Sequence, residues 1–304
     1  MQDIIEGLWR GTTPMEDWTV AVTGGFCHPV ADDIAVISTS YLYGNVTAVR
    51  TAEGLVLVDT GSRETASETL AALRRWDSGP VHTIIYTHGH IDHTWGARLL
   101  DAEAEANGWR RPRTIAHRNV LYRFERYDHT HDLNSIVMGR QFNKANYSFP
   151  EDHRRPDELY DDARTLYVGD VTFHLAHGRG ETDDATYAWL PRQQVLVSGD
   201  FVIWVFPNAG NPRKVQRYAP QWAATLRKMC ELRPAVLIPG HGPAGTSTPA
   251  GMTGIRPTSS RPLTGTWPSS LPAWPAGRMR SPRGRGRGRN PATCAPPRTS
   301  SSSP

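Results

Sequence analysis

Residues 87–93 read THGHIDH, and they directly follow an apolar run with the character of a buried strand. Within six positions the stretch holds four side chains that can bind metals, namely His88, His90, Asp92 and His93. His88 and His90 are two positions apart on an extended segment, so their rings project to the same side. Asp92 and His93 fall on the turn into the next helix, where they are available to a second ion. Imidazole nitrogens and carboxylate oxygens are ligands of zinc and similar ions, so the stretch predicts a metal site.

Two other short polar segments follow apolar runs in the same way. VSGD ends a predicted strand at Asp200, and IPGHG ends another at His241. A bridging carboxylate from Asp200 and a closing imidazole from His241 would complete six protein ligands. The pattern therefore predicts a site for two metal ions at the ends of several strands, which is where α/β proteins place their sites.

The hydrophobic pattern predicts an α/β protein. Short β-branched runs between glycine-containing or polar turns indicate strands within 35–40, 45–51, 55–60, 81–87, 165–176, 185–190, 194–200 and 235–240. Amphipathic spacing indicates helices at 62–76, with Ser62 as N-cap, at 93–108 and at 215–232. The polar stretch 117–160 predicts one or two helices and a long surface insertion. Strand-rich halves interleaved with helices indicate helices packed on two sheets.

The charge of the chain is unevenly distributed. The whole chain of 304 residues has a formal net charge of +4, but residues 243–304 contain nine arginines and no lysine or acidic residue. Residues 1–242 keep 25 basic and 30 acidic residues and are mildly acidic. A nucleic-acid partner is therefore not expected for this part of the chain.

The C-terminal stretch 246–304 differs in composition from the rest. It is rich in proline, arginine, glycine and serine and includes RGRGRGRN (283–290), so we expect a disordered tail. Its composition also resembles GC-rich DNA translated out of frame, which suggests a truncated or frame-shifted C-terminal region. RNA binding by the Arg-Gly tract is a weaker alternative.

The cysteines and the apolar segments indicate the cellular compartment that we expect for the protein. Three widely spaced cysteines do not resemble a disulfide framework. The start of the chain lacks the pattern of a signal peptide, and no apolar run is long enough to span a membrane. We expect a cytoplasmic protein without a membrane partner, made of an extension (1–30), a catalytic domain (31–245) and the tail (246–304).

The order HxHxDH, strand-end Asp200 and strand-end Gly-His resembles the metallo-β-lactamase superfamily. The resemblance covers about residues 30–245 and implies a four-layered αβ/βα sandwich. It also implies two metal ions, most simply zinc with iron or manganese as alternatives, and hydrolysis by a metal-activated hydroxide. Asp92 would additionally orient that hydroxide or accept its proton.

The third ligand of the first ion departs from the common pattern of the superfamily. Most members carry a histidine in a GHT-like turn, whereas this turn reads GRGETDDATY and has Glu181 at the matching position. His177 is the alternative, but the G-x-T frame surrounds Glu181. A carboxylate here is a feature of the alkylsulfatase-like branch, to which the chain is similar. The resemblance implies two ligand sets bridged by Asp200: His88, His90 and Glu181 for one ion, and Asp92, His93 and His241 for the other.

The substrate is expected to be a small anionic ester. The similarity to the alkylsulfatase-like branch implies that Arg213 binds sulfate. The apolar stretch after Asp200, which includes Trp204 and runs into Arg213 and Lys214, is suited to an apolar tail with an anionic head. Tyr147 is separately expected to face the cleft. Alternatively, Trp204 belongs to the core and Arg213 to a solvated helix start. A homodimer is possible, because relatives of this type carry a dimerisation region. Other open readings are a thioester, lactone or β-lactam hydrolase and an iron-dependent redox relative.

Overall fold

The computed structural model describes residues 2–40, 43–204 and 217–246. Arg213 and the tail after residue 246 lie outside the described residues, so the predictions made for them remain predictions. The described residues all belong to one compact unit, which spans Met1–Pro257. Within these ranges, no helix combines the length and apolar character needed to cross a membrane.

The first sheet contains seven strands in chain order. They are β1 (Phe26–Ala31), β2 (Ile34–Ser38), β3 (Val46–Thr51), β4 (Gly54–Val58), β5 (Val81–Ile85), β6 (Arg113–His117) and β7 (Glu158–Tyr160). Strands β1 to β4 form an antiparallel meander, and β4 to β7 run parallel. Parallel neighbours need long crossovers, and helices provide them between β4, β5, β6 and β7.

The second sheet contains six strands in the order β13-β12-β11-β10-β9-β8. They are β8 (Ala163–Val168), β9 (Val171–His177), β10 (Thr186–Leu190), β11 (Val195–Ile203), β12 (Val236–His241) and β13 (Gly245–Thr246). The predicted strand region 165–176 forms the β8–β9 hairpin, which turns at Gly169 with a φ of 55°. Only β11 and β12 pair in parallel, so both have their carboxyl ends at one edge of the sheet.

Two helices precede the first strand, and the others lie between strands in the chain. The helices are α1 (Gln2–Arg10), α2 (Met15–Val22), α3 (Ala66–Trp76), α4 (Ile91–Thr94), α5 (Ala97–Ala106), α6 (Asn119–Gln141) and α7 (Ala219–Glu231). Helix α6 contains a kink at Thr130. It is the helix predicted within 117–160, and irregular chain follows it up to β7.

Alternate residues of the strands face two different cores. In β4, Val56 and Val58 join a core to which both sheets contribute, whereas Leu55 and Leu57 pack with the helices α3, α5 and α6. Helix α7 covers the outer face of the second sheet around Trp222. This alternation produces four layers in the order helix, sheet, sheet, helix. The predicted αβ/βα architecture is confirmed.

Two helix boundaries differ from the prediction. Helix α3 begins at Ala66 after Thr65, so Ser62 is not its N-cap; the Ser62 hydroxyl instead pairs with that of Thr65 at 3.2 Å. The predicted helix 93–108 is divided into α4 and α5 near Gly96. A Cβ atom on Gly96 would lie 2.0 Å from the carbonyl oxygen of Thr60. The backbone at Gly96 therefore approaches the segment after β4 more closely than any residue with a side chain would permit.

Candidate metal centre

The predicted metal ligands lie where the carboxyl ends of four strands meet. The loop after β5 carries the first four ligands, the turn after β9 carries Glu181, β11 contains Asp200 and β12 ends at His241. Two backbone hydrogen bonds join the sheets near this point, from Thr186 N to Thr87 O at 2.7 Å and from Asn45 N to Gly240 O at 2.7 Å. The two sheets therefore bring together residues that are more than 100 positions apart in the chain.

One group of side chains has the spacing of a tetrahedral metal site. Nε2 of His93 lies 3.3 Å from Nε2 of His241. Oδ2 of Asp92 lies 3.6 Å from Nε2 of His93 and 3.4 Å from Nε2 of His241. Oδ1 of Asp200 lies 3.3 Å from Nε2 of His93 and 3.5 Å from that of His241. Ligand atoms about 2.0–2.1 Å from a tetrahedral zinc ion are separated by about 3.3–3.4 Å. The donors thus fit one ion.

Asp200 lies between this group and the remaining ligands. Its Oδ1 faces His93 and His241, while its Oδ2 lies 3.7 Å from Nε2 of His88. This arrangement suits a carboxylate that contacts two ions through different oxygens. Gly240 is required beside it, because a Cβ atom there would lie 2.0 Å from Oδ1 of Asp200.

A second group is completed by the residue that replaces the usual third histidine. Ligand atoms of His90, Glu181 and Asp200 all lie within 4.8 Å of one another, as do those of His88, His93 and Asp200. Nε2 of His88 is buried and has no hydrogen-bond partner among the residues that the structure describes. A buried polar atom without a partner is costly, and a metal ion would satisfy it. His90, Glu181 and Asp200 are therefore close enough to hold a second ion, and His88 lies beside the same carboxylate.

Asp59 and Thr87 orient the imidazoles, and sequence analysis did not identify either residue. Oδ2 of Asp59 accepts hydrogen bonds from Nδ1 of His93 at 2.7 Å and from Oγ1 of Thr87 at 2.7 Å. Nδ1 of His88 lies 3.0 Å from Oγ1 of Thr87 and donates to it. When the rings are neutral, as metal binding requires, both Nε2 atoms carry lone pairs that face the centre. The signal in the sequence was an acidic residue directly after the apolar strand β4, in the same context as Asp200.

Burial and neighbouring charges perturb the histidines in opposite directions. Burial opposes the charge of His93, but Asp200, Asp92 and Asp59 outweigh it and raise its pKa well above the usual range. Burial, with a smaller effect of His88, lowers the pKa of His90 well below the usual range. Strong pKa shifts in opposite directions on neighbouring side chains are typical of a functional site.

The two other acids of the centre also have different environments. Burial alone would raise the pKa of Asp200, but the imidazoles of His93 and His241 hold it well below its usual value. Burial and the adjacent Asp200 raise the pKa of Glu181 to about 7, even though Arg217 forms an ion pair with it. Asp200 is thus the stable anion of the pair.

His177, the alternative to Glu181, is engaged elsewhere. Its Nδ1 donates to the carbonyl oxygen of Ala185 at 2.9 Å. Its ring stacks on that of His117 with the centroids 3.7 Å apart. Within the described part of the chain, His177 belongs to none of the candidate metal groups. The geometry supports Glu181 as the third ligand.

Two of the residues predicted to bind substrate, Trp204 and Tyr147, lie within the described residues. Trp204 packs against a small core formed by α1 and α2, and its Nε1 donates to Pro243 O at 3.0 Å, which favours the core alternative. Tyr147 is half-buried in the loop after α6. Burial, Glu64 and, to a smaller degree, Asp92 raise the pKa of Tyr147 to about 12.

With this geometry, the chain can be compared with known proteins. The sequence model of the metallo-beta-lactamase superfamily matches residues 40–241. The chain belongs to the metallo-beta-lactamase superfamily. A linear primary-alkylsulfatase from Pseudomonas sp. is 26% identical over 216 residues, which cover 62% of the chain and 40% of that protein. The chain thus spans less than half the length of this relative.

Solved structures confirm the superfamily fold. The stereoselective inverting sec-alkylsulfatase Pisa1 from Pseudomonas sp. superposes with a TM-score of 0.60 at 21% identity, covering 73% of this chain and 39% of that one. A metallo-beta-lactamase from Pontibacter korlensis gives a TM-score of 0.50 at 19% identity, covering 73% and 93%. The chain therefore has the fold of the superfamily and, at the carboxyl ends of its strands, a cluster of potential metal ligands.

Proposed function

We propose that the protein is a dinuclear zinc hydrolase that cleaves a sulfate ester with an apolar tail. The observation that carries the proposal is the spacing of Asp92, His93, Asp200 and His241, whose measured donor separations of 3.3–3.6 Å match the edge of a tetrahedral zinc site. Iron or manganese could replace zinc at the same nitrogen and oxygen donors.

The protein ligands divide into two sets that share Asp200. His88, His90 and Glu181 would hold the first ion, and Asp92, His93 and His241 the second. Two ions bound there would make a water available as a nucleophile near neutral pH and would polarise the bond that breaks. The protein side chains therefore need to position groups and move protons, with no nucleophile of their own.

Asp92 is placed to take part in proton transfer. It is half-buried, in contrast to the fully buried His93, so part of its carboxylate faces the open side of the centre. Oδ2 of Asp92 lies within 3.6 Å of both Nε2 atoms of its group. We assign Asp92 as the group that orients the attacking water and accepts its proton.

A sulfate ester is favoured over other esters by the third ligand and its surroundings. Glu181 occupies the position that is a histidine in most of the superfamily, and Arg217 forms an ion pair with it in a nearly buried environment. Arg217 supplies a cation beside a site for an anionic substrate, and Arg213 is proposed as a second. The identity with the linear primary-alkylsulfatase supports the same substrate class.

The experiment is a comparison of substrates on the zinc-loaded protein. We expect release of sulfate from dodecyl sulfate, with much slower cleavage of the β-lactam nitrocefin and of a thioester. His241→Ala, which removes a ligand without touching Arg217, should abolish all hydrolysis. Faster cleavage of nitrocefin or of the thioester would contradict the sulfate assignment while leaving a metal hydrolase. Equal rates with the His241→Ala variant would contradict the metal centre itself.

A further inference from the structure

Helix α6 carries a buried arginine that forms a two-pronged ion pair beneath the metal loops. Nε of Arg123 donates to Oδ2 of Asp184 at 2.8 Å, and its Nη2 donates to Oδ1 at 3.0 Å. Arg123 is 7% exposed and Asp184 is completely buried. Removing either partner would leave an uncompensated charge in the interior, so each side chain of the pair holds the other in place.

The same carboxylate also holds the backbone between two predicted ligands. Oδ2 of Asp184 accepts a hydrogen bond from the backbone N–H of Gly89 at 2.9 Å. Gly89 separates His88 from His90, so this bond fixes the turn from which both imidazoles project. The turn lies directly on the ion pair, since a Cβ atom on Gly89 would lie 2.9 Å from Cδ of Arg123.

The pair also ties down the loop of the third ligand. Nη2 of Arg123 donates to Oδ1 of Asp183 at 2.8 Å. One helical turn earlier on α6, Nδ2 of Asn119 donates to the carbonyl oxygen of Asp183 at 2.9 Å. Asp183 and Asp184 follow Glu181 in one short turn between β9 and β10. Helix α6 therefore anchors this turn by side chains from two successive helical turns.

The residues that these contacts hold directly are neighbours of one ligand set. The contacts reach the loops that carry His88, His90 and Glu181, which come from different parts of the chain. The other set is held differently, with His93 oriented by Asp59. Because the Arg123–Asp184 ion pair connects the His88–His90 turn to the Glu181 turn, it controls the distances among the ligands of the first ion.

We infer that Arg123 and Asp184 are positioning residues that set the affinity of the first metal site and leave the second largely unaffected. This inference rests on the proposed dinuclear centre. Groups that orient metal ligands typically contribute about 10- to 100-fold to metal affinity when they are removed. Asp184→Asn would keep an acceptor for Gly89 but lose the charge that binds Arg123, so the turn would no longer be held by an ion pair.

The test measures each site by itself, by zinc titration against a competing chelator. His241→Ala disables the second site and isolates the first, whereas Glu181→Ala disables the first and isolates the second. Adding Asp184→Asn should weaken zinc binding at least about 10-fold in the His241→Ala protein and less than about 2-fold in the Glu181→Ala protein. Arg123→Lys, which keeps the charge but not the planar fork, should act in the same direction.

Asp101→Asn is the matched control. This substitution breaks an ion pair between Asp101 on α5 and the nearly buried Arg154. In this pair, Nε of Arg154 lies 2.8 Å from Oδ2 of Asp101. We expect this variant to lower the unfolding temperature of the metal-free protein without changing either zinc affinity. An equal weakening of both sites by Asp184→Asn, or no weakening, would overturn the inference. Absence of two zinc sites from the unmodified protein would instead contradict the proposed function.

Discussion

Oδ2 of Asp59 lies 2.7 Å from Nδ1 of His93, and both side chains are almost completely buried. This contact fixes the tautomer of the imidazole at the middle of the ligand cluster, because Nδ1 must carry the proton that Asp59 accepts. Nε2 is then a lone pair toward Asp200 and His241. The orientation of the centre thus depends on an acid that lies outside the candidate metal groups of the described residues.

Asp59→Asn tests this dependence. An amide at position 59 can present its N–H₂ group to His93 and stabilise the wrong tautomer. We expect zinc affinity to fall about 10- to 100-fold, measured by competition with a chelator. The fold should persist, as judged by circular dichroism. Unchanged affinity in a folded variant would show that His93 is oriented by other contacts.

Glu181→Ala and His177→Ala distinguish the two candidates for the third ligand. Loss of Glu181 should remove about one zinc ion per chain and most of the activity, because the first ion would keep only two imidazoles and a shared carboxylate. His177→Ala should retain most of both, since its ring is engaged with Ala185 and His117. Elemental analysis of the two proteins is the measurement, and the reverse result would exclude Glu181.

The buried His117 should make the metal-free protein less stable in mild acid. Burial and then the adjacent His177 lower the pKa of His117 to about 4. A histidine with a depressed pKa in the folded state contributes stability above its unfolded pKa of about 6.5, and this contribution is lost as the pH falls toward about 4. The free energy of unfolding should fall over this window by up to roughly 3 kcal/mol because of this residue.

Denaturation by urea at several pH values, with chelator present, measures the effect. His117→Phe keeps a ring against His177 and should flatten the decline between about pH 6.5 and pH 4. The exposed His174 on β9 supplies the control, since His174→Phe should leave the slope unchanged. An unaltered slope in His117→Phe would assign the acid sensitivity to other groups.

The core between the sheets should dominate stability. Phe173 on β9 is fully buried in this core, whereas Tyr167 on the neighbouring strand β8 is 74% exposed. Phe173→Ala should lower the free energy of unfolding by about 3–5 kcal/mol, and Tyr167→Ala by less than about 1 kcal/mol. Urea denaturation provides both values. Similar losses in the two variants would contradict the assignment of the core.

The sequence was informative where local patterns are physically tied to the site. Apolar runs that end in His88, Asp200 and His241 indicated both the strands and the polar residues that follow them, because the carboxyl ends of strands are where such residues gather. Periodicity could not indicate Arg123, since a buried cation on a helix depends on a partner 61 positions away. Asp59 was missed for the same reason, as its partner His93 lies on another loop.

Helix boundaries were harder to predict than strands. Ser62 satisfies the composition of an N-cap, but the chain becomes helical only after Thr65. Trp204 resembled a substrate contact by its position after Asp200, and only tertiary packing shows that it lies against α1 and α2. In both cases local residue type permits two outcomes, and contacts distant in sequence select one of them.

The metal content of the purified protein tests the central claim most directly. Elemental analysis should give about two zinc ions per chain in the unmodified protein and about one in His241→Ala. Two irons per chain would replace the hydrolase with a redox relative of the same fold. A protein that is folded by circular dichroism but binds no metal when zinc is supplied would contradict the account.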